Sequence, residues 1–121
     1  MVSVIWENIL HKIDFAFQPI VNPITGVTYA VESLLRGYER AGFKSIEELF
    51  DTAYSDSVLS TVDYTLKKKA IAKFKKFPFY NEIKLFYNYD PRVFECNNYS
   101  FNPIERIIKD ENIQADNICL E

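Results

Sequence analysis

The feature that most limits this chain is a pair of β-branched and aromatic runs, Ile13 to Val21 (IDFAFQPIV) and Val27 to Leu35. Only the turn residues Asn22, Pro23, Ile24, Thr25 and Gly26 separate them. Runs of that kind favour extended backbone, and an Asn/Pro/Gly cluster between them closes a hairpin. The period then changes. Ser45 and Glu48 form a capping-box pattern, and Ile46, Leu49, Phe50 and Ala53 share one helical face, which predicts a helix from Ile46 to Tyr54. Leu59, Val62, Leu66, Ala70 and Phe74 recur three and four apart, which predicts a longer helix from Val58 to Phe77, closed by Pro78. Ile83 to Tyr87 (IKLFY) is a short run of strand type that ends at Asn88. Asn102 and Pro103 open a helix with Ile104, Ile107 and Ile108 inward, and Asn117 to Glu121 (NICLE) reads as a last strand. Ahead of the hairpin, Val2, Ile5, Trp6, Ile9 and Leu10 stand at helical spacing, so residues 1–12 form a lead-in helix and residues 13–121 the domain proper. From Ser45 onward the order helix, helix, strand, helix, strand implies right-handed crossovers, parallel strands and helices packed outside, which is an α/β fold.

Composition narrows the function classes. The chain has 121 residues, and 10 Phe, 8 Tyr and 1 Trp give one domain, or part of one, enough apolar area for a core. Fourteen basic residues against 17 acidic ones argue against a dedicated binder of nucleic-acid polymers or anionic membranes. The basic run KKKAIAKFKK, Lys67 to Lys76, is accordingly expected to be the solvated outer face of the long helix. No apolar stretch reaches the ~18 residues of a membrane span, and the start MVSVIWENIL lacks the basic opening of a signal peptide, so a cytoplasmic location is expected. Cys96 and Cys119 lie in no CxxC pair and not near His11, which disfavours a disulfide framework, structural zinc and Cys-His catalysis.

Gln18, Glu32, Arg36, Asn88 and Glu121 stand at or beside strand ends, and the C-terminal ends of parallel strands converge on the ligand site in α/β folds. Glu32 lies among Ala30, Val31, Leu34 and Leu35, and a buried carboxylate is paired, protonated or bound to a metal. Glu32, Asn88 and Glu121 together offer hard oxygen ligation suited to Mg²⁺ or Mn²⁺. Arg36 has the planar guanidinium that clamps a phosphate if it points into the same cleft. Residue types alone leave another account open: an edge-exposed glutamate, a strand-end asparagine in a turn and an i to i+4 surface pair.

The string FQPIVNPITGVTYAVESLLRG resembles the opening of the EAL domain family of bacterial phosphodiesterases that cleave cyclic dimeric GMP, with the signature as Glu32-Ser33-Leu34-Leu35-Arg36. LFYNYDPRVF, Leu85 to Phe94, is similar to the family's Asn-x-x-Pro strand end, and NICLE to the start of its Leu-x-Leu-Glu segment. The resemblance runs from about Ile13 to Glu121, with the three motifs in the family's order. It implies the N-terminal half of a (β/α)₈ TIM-type barrel with one antiparallel strand, and hydrolysis of cyclic dimeric GMP to the linear dinucleotide with Mg²⁺ or Mn²⁺. By motif position Glu32 would be catalytic through the metal, and Glu32, Asn88 and Glu121 would be its ligands. Arg36 would contact phosphate, while Gln18, Leu34 and Pro91 would line the substrate.

Ser33 replaces the family's usual Ala, and Asp90 stands where many members have Ser, which would add a negative charge near the phosphates. A complete barrel needs about 250 residues. The resemblance therefore implies a truncated domain that lacks the later paired aspartates, lysine and glutamate and does not turn over substrate alone. An open barrel edge implies self-association. The alternative is a degenerate EAL domain acting as a non-catalytic cyclic dimeric GMP sensor or protein-interaction module. Either leaves room for an attached sensor or GGDEF domain in a longer parent.

Overall fold

The computed structural model describes residues 3–95 and 103–121. The lead-in helix α1 (Val4–Lys12) starts at Ser3, whose side chain accepts the Trp6 N–H. Trp6 and Leu10 are buried, whereas Val4 and Ile5 are exposed, so Ile5 leaves the inward set that its spacing predicts. The hairpin forms as expected: β1 (Asp14–Val21) pairs antiparallel with β2 (Thr28–Arg36), Phe15 opposite Leu35 and Gln18 opposite Glu32. Asn22 builds its turn, its side-chain oxygen accepting the Ile24 N–H at 2.8 Å and its own N–H donating to the Val27 carbonyl at 2.9 Å.

The capping box precedes α2 (Ile46–Ser55): the Glu48 N–H donates to Ser45 Oγ at 3.1 Å. The Glu48 carboxylate reaches back one residue further than the motif implies, to the Lys44 N–H at 3.2 Å. Helix α3 (Leu59–Phe74) ends three residues earlier than its periodicity predicts, because Pro78 disfavours helical backbone at Phe77 and the chain closes in tight turns from Lys75 onward. Strand β3 (Lys84–Tyr87), helix α4 (Pro103–Asp110) and strand β4 (Ile118–Leu120) complete the order. The Asn102 cap and Cys96 lie outside the described residues.

The sheet order is β1-β2-β3-β4, with β2, β3 and β4 parallel and β1 the one antiparallel strand. Helices α2 and α3 carry the chain from β2 to β3, and α4 carries it to β4. Side chains alternate along a strand. Phe15, Leu35 and Tyr87 pack with Leu49, Val62 and Leu66, while Val31 and Leu85 pack with Ile71, Phe74 and Ile107. Away from the hairpin end, where the register shifts at Ile20 and Val21, the odd-numbered residues of β1, β2 and β3 therefore face the helices and the even-numbered ones face the other way.

The basic run is solvated only in part: Lys68 and Lys76 are exposed, but Lys67 is not. Lys67 is 1% exposed and forms a 2.7 Å ion pair with Asp63, itself 1% exposed. A core-facing helix buries a stripe wider than a single row, and Leu59, Asp63, Lys67 and Ile71 form the row beside Val62, Leu66, Ala70 and Phe74. Lys69, Lys73 and Lys75 reach over neighbouring backbone. Lys69 donates to the carbonyls of Leu10 and Ile13 at the end of α1, and Lys75 to the Glu111 carbonyl beyond α4. Lys73 donates to the Phe15 carbonyl at 2.7 Å and to Asp14 at 3.1 Å. The Phe15 N–H, with Lys73 behind it, holds the Asp14 carboxyl below the usual carboxylate range.

The loop after β3 is clasped to α2. Arg92 donates to both oxygens of Asp90, the shortest bond 2.7 Å, and to Asp51 at 3.0 Å, with its guanidinium 4.8 Å from the Tyr54 ring centroid. These bonds hold the Asp90 carboxyl below the usual carboxylate range. Among the described residues no helix is long and apolar enough to cross a membrane.

Two stability predictions follow from these contacts. Gly37 has φ +92°, and a methyl group there would run into the Lys12 carbonyl oxygen, whereas Gly26, at φ +73°, has open space around it. Gly26→Ala should carry only the left-handed backbone cost of about 1–2 kcal/mol, and Gly37→Ala clearly more; equal losses in urea denaturation would refute the close approach. For Asp90, a depressed folded pKa gives stability that is present above the unfolded value and is lost as pH falls through the folded one. Arg92→Ala should melt below the wild type at neutral pH, with the gap closing as pH drops below about 4; a gap that persisted to strong acid would break the link to Asp90.

Candidate functional site

The alternation that buries Val31, Ser33 and Leu35 under the helices turns Glu32, Leu34 and Arg36 to the opposite face, towards the C-terminal end of β2. Gln18 is exposed across the ladder from Glu32. Asn88 follows the last residue of β3, and Glu121 follows the last residue of β4. The Glu121 N–H donates to the Tyr87 carbonyl at 2.8 Å, and its carbonyl accepts the Tyr89 N–H at 3.1 Å. That is the parallel ladder continued by one rung, and it sets Glu121 opposite Asn88. Asn88 Nδ2 donates to Glu32 Oε2 at 3.1 Å. Of the residues named from the sequence, Glu32 and Asn88 therefore touch, while Gln18, level with Glu32 in mid-strand, and Glu121, opposite Asn88, are placed beside them by backbone register.

Glu32 is half-buried, and the partner its surroundings demand is the Asn88 amide. Arg36 is exposed and donates Nη1 to the Leu35 carbonyl at 3.0 Å. Among the described residues no ion pair joins it to Glu32, so the i to i+4 surface pair does not form. A cavity of about 170 Å³ near the end of β2 is lined mainly by helix-facing residues, Phe15, Ser33, Leu35 and Tyr87 with Ile46 and Phe50 of α2, so although Leu34, Arg36 and Asn88 border it, it is not a pocket on the Glu32 face. Pro91 is exposed and begins the turn after β3.

The two departures from the family pattern find local partners. Ser33 is buried, and its hydroxyl donates to the Phe86 carbonyl at 3.3 Å, a link between β2 and β3 that an alanine would lack. Asp90 is matched by Arg92 instead of standing as a free negative charge.

Sequence reasoning missed Arg92 and the Asp63–Lys67 pair. Asp63 and Lys67 carried a signal, since they lie four apart directly beside the apolar row. Burial pushes the Asp63 carboxyl up against the opposing pull of Lys67. Burial also pushes the Tyr87 hydroxyl well up, with the Asp63 charge adding to it.

The donor chemistry suits a hard dication in type. Glu32 and Glu121 offer carboxylates, and with Nδ2 turned to Glu32 the oxygen of the Asn88 amide is the atom left to bind. Among the described residues no three of His, Cys, Asp and Glu gather into a metal cluster.

No family model and no curated protein matches the sequence. Solved structures do. Klebsiella pneumoniae BlrP1, in a calcium and cyclic di-GMP complex at pH 8.0, aligns over 90% of this chain and 26% of its own at a TM-score of 0.70 and 19% identity. BlrP1 with FMN and cyclic di-GMP and no metal ions gives the same score and identity over 28% of its chain. The EAL enzyme Bd1971, in its cGMP-bound form, aligns over 96% of this chain and 33% of its own, with a TM-score of 0.61 and 18% identity. The chain thus spans about a quarter to a third of the solved chains it matches. At such identity the likeness is one of fold, and the fold is that of the EAL barrel over an antiparallel first strand and the three parallel strands that follow it.

Proposed function

We propose that this chain supplies the N-terminal part of an EAL-type site that binds cyclic dimeric GMP with a divalent cation and serves its hydrolysis to the linear dinucleotide. The observation that carries the reading is the bond between Asn88 and Glu32 on neighbouring parallel strands, with Glu121 opposite Asn88 on the next strand and Gln18 across from Glu32. The cyclic di-GMP in the BlrP1 complexes supports the ligand class, and the calcium in one of them supports a divalent cation.

In this reading Glu32, Asn88 and Glu121 hold Mg²⁺ or Mn²⁺, which supplies Lewis acidity to a phosphodiester and a lowered pKa to water. Arg36 turns from the Leu35 carbonyl to a phosphate oxygen, a short move for an exposed guanidinium. Gln18 offers both a donor and an acceptor to a base edge, and Leu34 and Pro91 give apolar walls.

The test titrates the chain with Mn²⁺ and cyclic dimeric GMP by calorimetry and follows the linear dinucleotide by chromatography. Glu32→Gln should weaken Mn²⁺ binding about tenfold or more, since a charged ligand becomes neutral at constant shape; unchanged affinity would remove Glu32 from the ligand set. Arg36→Ala should weaken the dinucleotide by less than the ~2–5 kcal/mol of a buried charge pair, because Arg36 is exposed. Linear product that disappears in Glu32→Gln supports hydrolysis. Metal-dependent binding without conversion fits both an N-terminal part that does not turn over substrate alone and the sensor or interaction module, and no binding at all would overturn both.

A further inference from the structure

Asp63 and Lys67 lie inside the core on α3, 2.7 Å apart, and Asp63 Oδ1 has no hydrogen-bond partner among the described residues. Apolar residues of similar volume commonly replace such a pair without loss of stability, so stability is a poor reason for two charges here. What a charge pair adds is direction. The Lys67 ammonium lies 5.9 Å from the centroid of the Tyr89 ring, within cation–π reach. Tyr87 is buried in the same core group as Val62 and Leu66, the residues next to the pair in sequence, and Tyr89 packs against that group. These two tyrosines flank Asn88. Alternation sends their rings towards α3 and Asn88 the other way, and both backbone groups of Glu121 are bonded to the same two tyrosines.

We propose that the Asp63–Lys67 pair is a positioning device: from within α3 it holds the two tyrosines that flank Asn88, and so fixes where Asn88 and Glu121 stand relative to Glu32. The proposal rests on the reading of Glu32, Asn88 and Glu121 as one site. Asp63 and Lys67 touch neither metal nor substrate and act only through the rung that carries Asn88 and Glu121.

Lys67→Met alone leaves a buried carboxylate without its cation and risks unfolding, so the test uses the paired variant Asp63→Asn/Lys67→Met, with Lys67→Arg as the conservative control. Three readouts are taken on each: melting temperature, Mn²⁺ affinity, and nuclear magnetic resonance of the Asn88 side-chain amide with hydrogen exchange at the Tyr89 and Glu121 N–H groups. The paired variant should melt close to the wild type, exchange those two amides about tenfold faster or more, shift the Asn88 amide and weaken Mn²⁺ several-fold. Lys67→Arg should restore most of this. Unchanged Asn88, Tyr89 and Glu121 signals in the paired variant would overturn the proposal, as would faster exchange spread evenly over the sheet with a lower melting temperature. If the wild type binds no Mn²⁺ yet the three signals respond, the metal reading falls and the positioning role stands.

Discussion

The burial of one face of β2 against α3 is the constraint on which the rest depends. Val31, Ser33 and Leu35 are buried, and their even-numbered neighbours are thereby committed to the opposite face. A slip of one residue would exchange the two sets and place Glu32 and Arg36 in the core in place of Val31 and Leu35. The register is set at the hairpin, where Asn22 closes the turn through both its side chain and its backbone, and Gln18 consequently stands opposite Glu32. The ladder passes that alignment to β3 with Glu32 opposite Phe86, and on to β4 with Phe86 opposite Cys119.

Helix α3 then fastens its surroundings with lysines as much as with apolar contacts. Lys69 grips the carbonyls where α1 ends, Lys73 the start of β1, and Lys75 the chain after α4. Carbonyls at helix ends lack intrahelical donors, and a long flexible amine can satisfy them without burying its whole stem. A helix with three such reaches, plus a charge pair beneath β3, fixes the parts that differ most in sequence position. Arg92 does the same in the chain after β3, where it joins Asp90 to Asp51 of α2.

Much of this was legible in the sequence, for a physical reason that differs from element to element. The hairpin, the Ser45 cap and the parallel alternation are local signals, written within a few residues of where they act. Asn88 and Glu121 were legible as residues that follow strand ends, whereas Gln18 and Glu32 stand in the middle of β1 and β2, and only the resemblance to a family motif singled out their roles. The Lys67 pair was not, since a lysine reads as solvated unless its row is seen to widen the buried stripe, and that depends on how closely β3 approaches α3. Arg92 was missed because one of its partners, Asp51, lies on a different element. The early end of α3 follows from Pro78 acting on the residue before it, a local rule that the apolar periodicity through Phe77 outweighed.

The charge at the site argues for what it can accept. Glu32 and Glu121 bring two carboxylates to one end of the sheet. The cations nearest in sequence are engaged elsewhere: Arg36 with the Leu35 carbonyl, Arg92 with Asp90 and Asp51. An anionic phosphate approaching that end meets two negative charges against the single positive charge that Arg36 can swing towards it, and like charges at close range oppose binding. A dication reverses that balance, and hard oxygen donors are the kind it prefers. On the proposed reading, then, the carboxylates must be matched before phosphate is drawn in, and Arg36 contributes once that has happened. Asp90 would have upset this order had it stood free beside Asn88; clasped by Arg92, it adds no unmatched charge to the end of the sheet where the phosphate must come.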